Sequence, residues 1–237
     1  MARQAVIRKT HQEIHNKGSR LRDFILGWQD GLVNVLGVML GLISVTNDVK
    51  IILIAALSAA CAESISMAAV AYTSFKAEKD YYMSEVAREK SEMERVPDVE
   101  RNEIRVIYRQ IGFSGILLNS IVRHITSDKK RWLDVMMEQE LRIFPSDITP
   151  SNIAMVVGIS AFIGSLMPII PFIFFPISSA MWIALIFSTI ILFGIGIYKA
   201  ITTIGNPLRS GLEMAFIGMA AASAGYGVGA ILGAAIR

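Results

Sequence analysis

Carboxylates and thioethers at helical spacing are the residues of this chain best suited to chemistry. Glu85, Glu89 and Glu92 stand at i, i+4 and i+7, which stacks three carboxylates along one helix face. Glu100 and Glu103 repeat the feature a few residues on, and Met136 and Met137 precede Glu140 by four and three positions. Like charges held together repel unless a cation or solvent relieves them. A mixed set of carboxylate oxygens and thioether sulfurs suits borderline divalent transition metals better than Mg2+ or Ca2+. Two plainer readings stand beside this one. Acidic runs are commonly solvated faces, here with Arg88, Lys90 and Arg95 at hand for surface pairs, and adjacent methionines are commonly core filler.

A second set lies in apolar surroundings. Asp30 falls about two turns into an apolar run with Asn34 one turn beyond it, and Glu63 and Met67 sit four apart in the next run. An ionisable side chain at membrane depth costs about 2.5 to 3.5 kcal/mol on insertion scales, so it generally faces a path lined by protein or water. Asp30, Asn34, Glu63 and Met67 are therefore the expected transport path. The plainer alternatives are an interhelical hydrogen bond for Glu63 and headgroup hydration for Asp30. Glu213, at the start of the last apolar run, reads as interfacial.

Both sets need elements to hold them. The chain has 237 residues, 53% of them hydrophobic, and a mean hydropathy of +0.50, too apolar for an ordinary soluble domain. Five apolar runs, at about 24–45, 51–75, 153–175, 178–198 and 212–236, are each near the ~20 residues a spanning helix needs. The expected fold is thus an all-α membrane protein with five transmembrane helices. Its polar insert between spans two and three, residues 76–148, is the expected helical metal-binding domain, flanked by 1–75 and 149–237. Every Lys and Arg except Lys50 and Arg237 lies in the tail before Phe24, in the insert or between Lys199 and Arg209. The excess of positive charge on the cytoplasmic side then puts the N-terminus and insert in the cytosol and the C-terminus opposite. The basic tail has no apolar core, so the first span is expected to direct insertion itself.

Neither Gly nor Pro occurs between Ile51 and Val96, so the second span is expected to run unbroken into the insert until Pro97 stops it. At 1.5 Å per residue that helix reaches roughly 70 Å, against a hydrocarbon core of about 30 Å. A second insert helix is expected over 99–111, closed by Gly112, and a third from a Ser127-Asp128 cap to about Leu141, joined by a shorter helix over 115–125. Pro168 and Pro171 should kink or end the third span, and the small residues of the last spans suit close packing in lipid.

Several chemistries lack their motifs. His11, His15 and His124 are not preceded by Glu at the third position back, so the Glu-x-x-His pair of di-iron bundles is missing. His11 and His15 read as solvated tail residues. No nucleophile elbow, phosphate loop or zinc-type Cys and His cluster is present. The single cysteine, Cys61, precludes an intrachain disulfide and is expected to be an inert packed thiol. The net charge of +3 is accounted for by topology and gives no indication of nucleic acid.

Taken in order, the residues resemble the vacuolar iron transporter family over nearly the whole chain. The resemblance is carried by Asp30-Gly31-Leu32 with Gly37 and Gly41, by Ser66-Met67-Ala68, and by Glu89, Glu92, Glu100, Glu103, Met136, Met137 and Glu140. Pro168-Ile169-Ile170-Pro171 and the run from Asn206 to Glu213 are similar to the family's later spans. The resemblance implies a homodimer of five-span subunits that exchanges cytosolic Fe2+, and also Mn2+ or related ions such as Co2+ and Zn2+, for protons, with no permanently bound cofactor. It implies metal binding by the matching insert residues and a path at the dimer interface lined by Asp30 and Met67. Relatives often carry Gly-Glu-Tyr where this chain has Val70-Ala71-Tyr72, and Glu63, two turns earlier, is the residue expected to replace that carboxylate. The host would be the cell membrane in a prokaryote and a vacuolar-type membrane in a eukaryote. Rival expectations are a membrane-bound ferroxidase or iron-storage module built on the carboxylates of the insert, and a metal sensor or assembly protein.

Overall fold

The computed structural model describes residues 2–145 and 149–236, with side chains from residue 21 to 145 and from 149 to 235. His11 and His15 lie outside the described side chains. The described residues form helices α1 (Ala2–Ile43), α2 (Val49–Arg95), α3 (Pro97–Gln110), α4 (Gly115–Thr126), α5 (Lys129–Val135), α6 (Pro150–Leu166), α7 (Ile170–Phe174), α8 (Ile177–Thr202) and α9 (Pro207–Ile236). A π turn, Met136–Glu140, follows α5, and a 3-10 turn, Met167–Ile169, joins α6 to α7. Among the described residues, five stretches are long and apolar enough to cross a membrane: Leu21–Ile43, α2, Pro150–Phe174, α8 and Pro207–Ala235. The first helix extends back to Ala2, through the segment expected to be only a tail, and α9 begins at Pro207 rather than near Leu212.

Local chemistry explains the boundaries. The Asp48 carboxylate accepts a hydrogen bond from the Lys50 N–H at 2.8 Å and opens α2, which then runs for 47 residues to Arg95. Pro97 takes the first position of α3, where its missing N–H is no loss. Gly112, at φ 112°, occupies a backbone conformation a side chain would resist, so the chain turns there. Asp128 accepts from the Arg131 N–H at 2.8 Å and caps α5. Pro168 and Pro171 each remove a helical donor, and the chain tightens to a 3-10 turn between α6 and α7.

The chain divides into two compact units. One comprises Met1–Tyr72 with Ile148–Arg237, the other Thr73–Asp147. In the first, α1 packs along α6 and α9, and α8 packs along α9. Glycines let these seams close. A Cβ added at Gly225 would stand 2.6 Å from the Gly37 carbonyl oxygen, one at Gly229 would strike the Gly41 carbonyl, and one at Gly31 would strike the Ala161 carbonyl. Small residues four apart let two backbones touch, which drives helix association where lipid offers no hydrophobic gain. The second helix joins at Gly158 of α6, where an added Cβ would stand 2.8 Å from the Ala68 Cβ. Val35, Leu36, Met39, Ile52, Ala56, Phe172 and Ala184 form the apolar centre. Cys61 is exposed, contrary to the packed thiol expected, because the buried face of α2 carries Ile52, Ala56 and Ala60.

The second unit has its own core of Met93, Ile104, Leu118, Val122, Ile125, Trp132 and Met136. The Arg101 guanidinium lies 5.5 Å from the Trp132 ring centroid, covering that core from the solvent side.

Candidate functional site

In the Thr73–Asp147 unit the carboxylates of α2 and α3 and the one closing the π turn share one electrostatic neighbourhood. Glu89 is 2% exposed and Glu100 3%. Each has its Oε2 atom buried without a hydrogen-bond partner among the described residues. Leaving a buried carboxylate oxygen unsatisfied is costly, and native folds rarely tolerate it without a function. The Arg88 Nη2 atom lies 2.7 Å from Glu85 Oε2 and 3.3 Å from Glu89 Oε1, so one guanidinium holds the outer carboxylate and half of the inner one.

Ionisation in this neighbourhood is strained. Burial first, and then the charges of Glu103, Glu89, Glu140 and Glu92, push the Glu100 carboxyl up to about 7. Glu140 keeps an exposed edge, yet loss of solvent first and Glu103 and Glu89 next push its carboxyl to about 7, against an opposing pull from Arg88. Charges on α2, on α3 and at the end of the π turn therefore act together on Glu89, Glu100 and Glu140. Glu85 is drawn off into its pair with Arg88. As the side chains stand, no three His, Cys, Asp or Glu among the described residues are close enough together to grip a metal ion.

The methionines are divided in role. Met136 is fully buried in the apolar core beside Met93 and Trp132, and Met137, 3% exposed, is the next residue of the π turn. The Leu141 N–H donates to the Met136 carbonyl five residues back, the widened bond of a π turn. Such single turns recur at functional sites. Spacing in the sequence gave no sign of this turn. Nor did it single out Tyr82, whose phenol is pushed up by burial and then by Asp134 and Glu138. Arg88 appeared there only as an ordinary surface partner.

In the other unit, α1 and α2 bring Asp30, Asn34 and Glu63 together. The Glu63 carboxyl lies close enough to the Asp30 and Asn34 side chains to interact with both. Asp30, Glu63 and Met67 are half-buried and Asn34 is exposed. Two carboxyls so placed repel when both are ionised, and a proton or a cation between them relieves the repulsion. Met67 follows Glu63 by one turn of α2, and Ala71, one turn further, offers no carboxylate.

The chain is similar to known proteins over most of its length. The family model described as VIT family matches residues 21–230. "Vacuolar iron transporter 1" of Tulipa gesneriana is 33% identical over 219 residues, covering 91% of this chain and 89% of the relative. "Vacuolar iron transporter 1" of Arabidopsis thaliana is 32% identical over 219 residues, covering 91% and 88%. The "Vacuolar iron transporter" of Toxoplasma gondii is 29% identical over 235 residues, covering 94% and 78%. These likenesses do not favour the ferroxidase alternative. The family match extends from the first span to the last and takes in both carboxylate sets, and on that ground the chain belongs to the VIT family and is a multi-pass membrane transporter, not an enzyme.

Proposed function

We propose that this protein moves Fe2+ out of the cytosol in exchange for protons, with Mn2+, and by the same chemistry Co2+ and Zn2+, as further substrates. The observation that carries this reading is the meeting of Asp30 with Glu63 within one membrane-spanning unit. A carboxyl pair at membrane depth is costly unless it serves a charge in transit. It holds protons in one state and a divalent ion in the other, and that exclusion is the physical basis of antiport. Asn34 supplies a neutral oxygen and Met67 a soft sulfur along the same path.

The insert is the receiving domain on the cytosolic side. Glu89, Glu92, Glu100, Glu103 and Glu140 draw the ion in, with Glu85 held in reserve by Arg88 and Met137 and Met136 at the soft end. The orphaned oxygens of Glu89 and Glu100 support this role, because a cation satisfies both without displacing an existing hydrogen bond. Closing on the ion requires the side chains to draw together. Two subunits, each contributing α1 and α2, would enclose one path, and the family names of the relatives support iron as the principal cargo. The membrane is the cell membrane of a prokaryote or a vacuolar-type membrane of a eukaryote.

The deciding experiment is flux in proteoliposomes, with Fe2+ and proton movements followed together for wild type, Asp30→Ala and Glu63→Ala. Coupled, opposite fluxes in the wild type and their loss in both variants are expected. Absence of metal-dependent flux in the wild type would sink the proposal.

A further inference from the structure

The turn between α8 and α9 contains a groove that the transport reading leaves unused. An open cavity of about 540 Å3 is lined by Leu208, Arg209, Leu212, Glu213 and Phe216 together with Asn206. It adjoins a smaller one of about 190 Å3 that shares Asn206, Arg209 and Glu213 and adds Lys199. Asn206 is committed to structure, since its side-chain oxygen accepts from the Arg209 N–H at 3.2 Å. The side chains of Lys199 and Arg209 form no ion pair among the described residues. Two cations against the single carboxylate of Glu213 leave the groove net positive.

Its wall has a different chemistry. Leu208, Leu212 and Phe216 recur every four residues along α9 and are 61%, 57% and 76% exposed. They form an apolar stripe that begins beside the cations and runs into the span. A polar, positive mouth continuous with an apolar stripe at the end of two spanning helices matches a molecule with an anionic head and hydrocarbon tails. Free phosphate would satisfy the cations and leave the stripe bare.

We propose that this groove binds an anionic phospholipid, with the phosphate held by Lys199 and Arg209 and an acyl chain lying along Leu208, Leu212 and Phe216. Glu213 then accepts from hydroxyl groups of the head alcohol and disfavours headgroups that offer none. Basic pockets between spanning helices hold anionic headgroups in this way, and the attraction is screened by salt. The proposal does not depend on what the protein transports.

The test uses the full-length protein in mixed micelles containing phosphatidylglycerol or phosphatidylcholine, with lipid retention read by native mass spectrometry and stability by thermal denaturation. Retention of phosphatidylglycerol over phosphatidylcholine and a rise in Tm with the former alone are expected. Lys199→Gln with Arg209→Gln should weaken retention by roughly 30-fold, two surface cations being lost, and leave Tm in phosphatidylcholine unchanged. Phe216→Ala should weaken retention of the lipid and leave the response to salt intact. Equal retention of the two lipids, a Tm rise produced by inorganic phosphate or glycerol phosphate alone, or full retention by the double variant would each overturn the proposal. Should the double variant not fold, the wild type's choice between the two lipids decides.

Discussion

Glu89 pairs one carboxylate oxygen with Arg88, at 3.3 Å, and keeps the other buried with no hydrogen-bond partner among the described residues. The pairing is half complete, and so is the electrostatic balance of the insert. Glu89→Gln keeps the shape and removes the charge. Fe2+ affinity of the full-length protein should fall at least about tenfold, while Tm of the metal-free protein should hold or rise because a buried charge is gone. Anaerobic equilibrium dialysis reads the first and thermal denaturation the second; unchanged affinity would remove Glu89 from the receiving set. Arg88→Gln acts oppositely: it leaves the Glu85 and Glu89 carboxylates without their cation and should lower the Tm of the metal-free protein.

The pH dependence follows from Glu100 and Glu140. Both hold their protons up to about 7 in the folded protein, against an ordinary value of 4.5. Between those values the folded state binds more protons than the unfolded chain, so stability is greatest at the acid end of the window and declines as pH rises towards 7. Metal-free protein should therefore melt at a falling temperature over this range, and Fe2+ should restore the loss at the upper end. Because an ion must displace those protons, affinity should drop by up to about 100-fold for one pH unit below 7, two protons being taken up. Titrations at several pH values check the slope; a flat profile would exclude both residues from binding.

Met136 separates packing from ligation. Met136→Ala opens the insert core and should cost about 2–5 kcal/mol. Met136→Leu conserves volume and should cost less than about 1.5 kcal/mol. If Fe2+ affinity survives the leucine, the sulfur serves only the core. Met137→Leu makes the parallel test for the neighbouring thioether.

The glycine seam gives a contrast within one helix. Gly225→Ala places a Cβ 2.6 Å from the Gly37 carbonyl oxygen, whereas Gly227 has nothing within 4 Å of that position. Gly225→Ala should destabilise by about 1–3 kcal/mol, and Gly227→Ala should be neutral or stabilise by up to about 1 kcal/mol from helix propensity. Thermal denaturation in one detergent compares the two directly. Equal behaviour would mean that the α1–α9 seam tolerates separation.

What could be read in advance was local. The run of α2 through to Arg95 follows from the lack of Gly and Pro between Ile51 and Val96, and the start of α5 follows from Asp128. The break in the third span follows from Pro168. What stayed hidden depends on register between distant segments. Asp30 and Glu63 are 33 residues apart, and nothing in either span states that their helices present them to each other. The orphaned oxygens of Glu89 and Glu100 arise only once α3 folds against α2. Met136-Met137-Glu138-Gln139-Glu140 contains no residue that demands a π turn, so its cause is tertiary. The exposure of Cys61 is likewise a matter of helix register, since α2 turns Ile52, Ala56 and Ala60 inward and leaves Cys61 with Ser58 and Ala62 outside.

Where Gly37 and Gly41 meet Gly225 and Gly229, main chain rests on main chain with no side chain between. Side chains yield by changing rotamer; backbones in direct contact have no such slack. The first helix is thereby anchored to the last as a fixed post, and Asp30 is mounted on it.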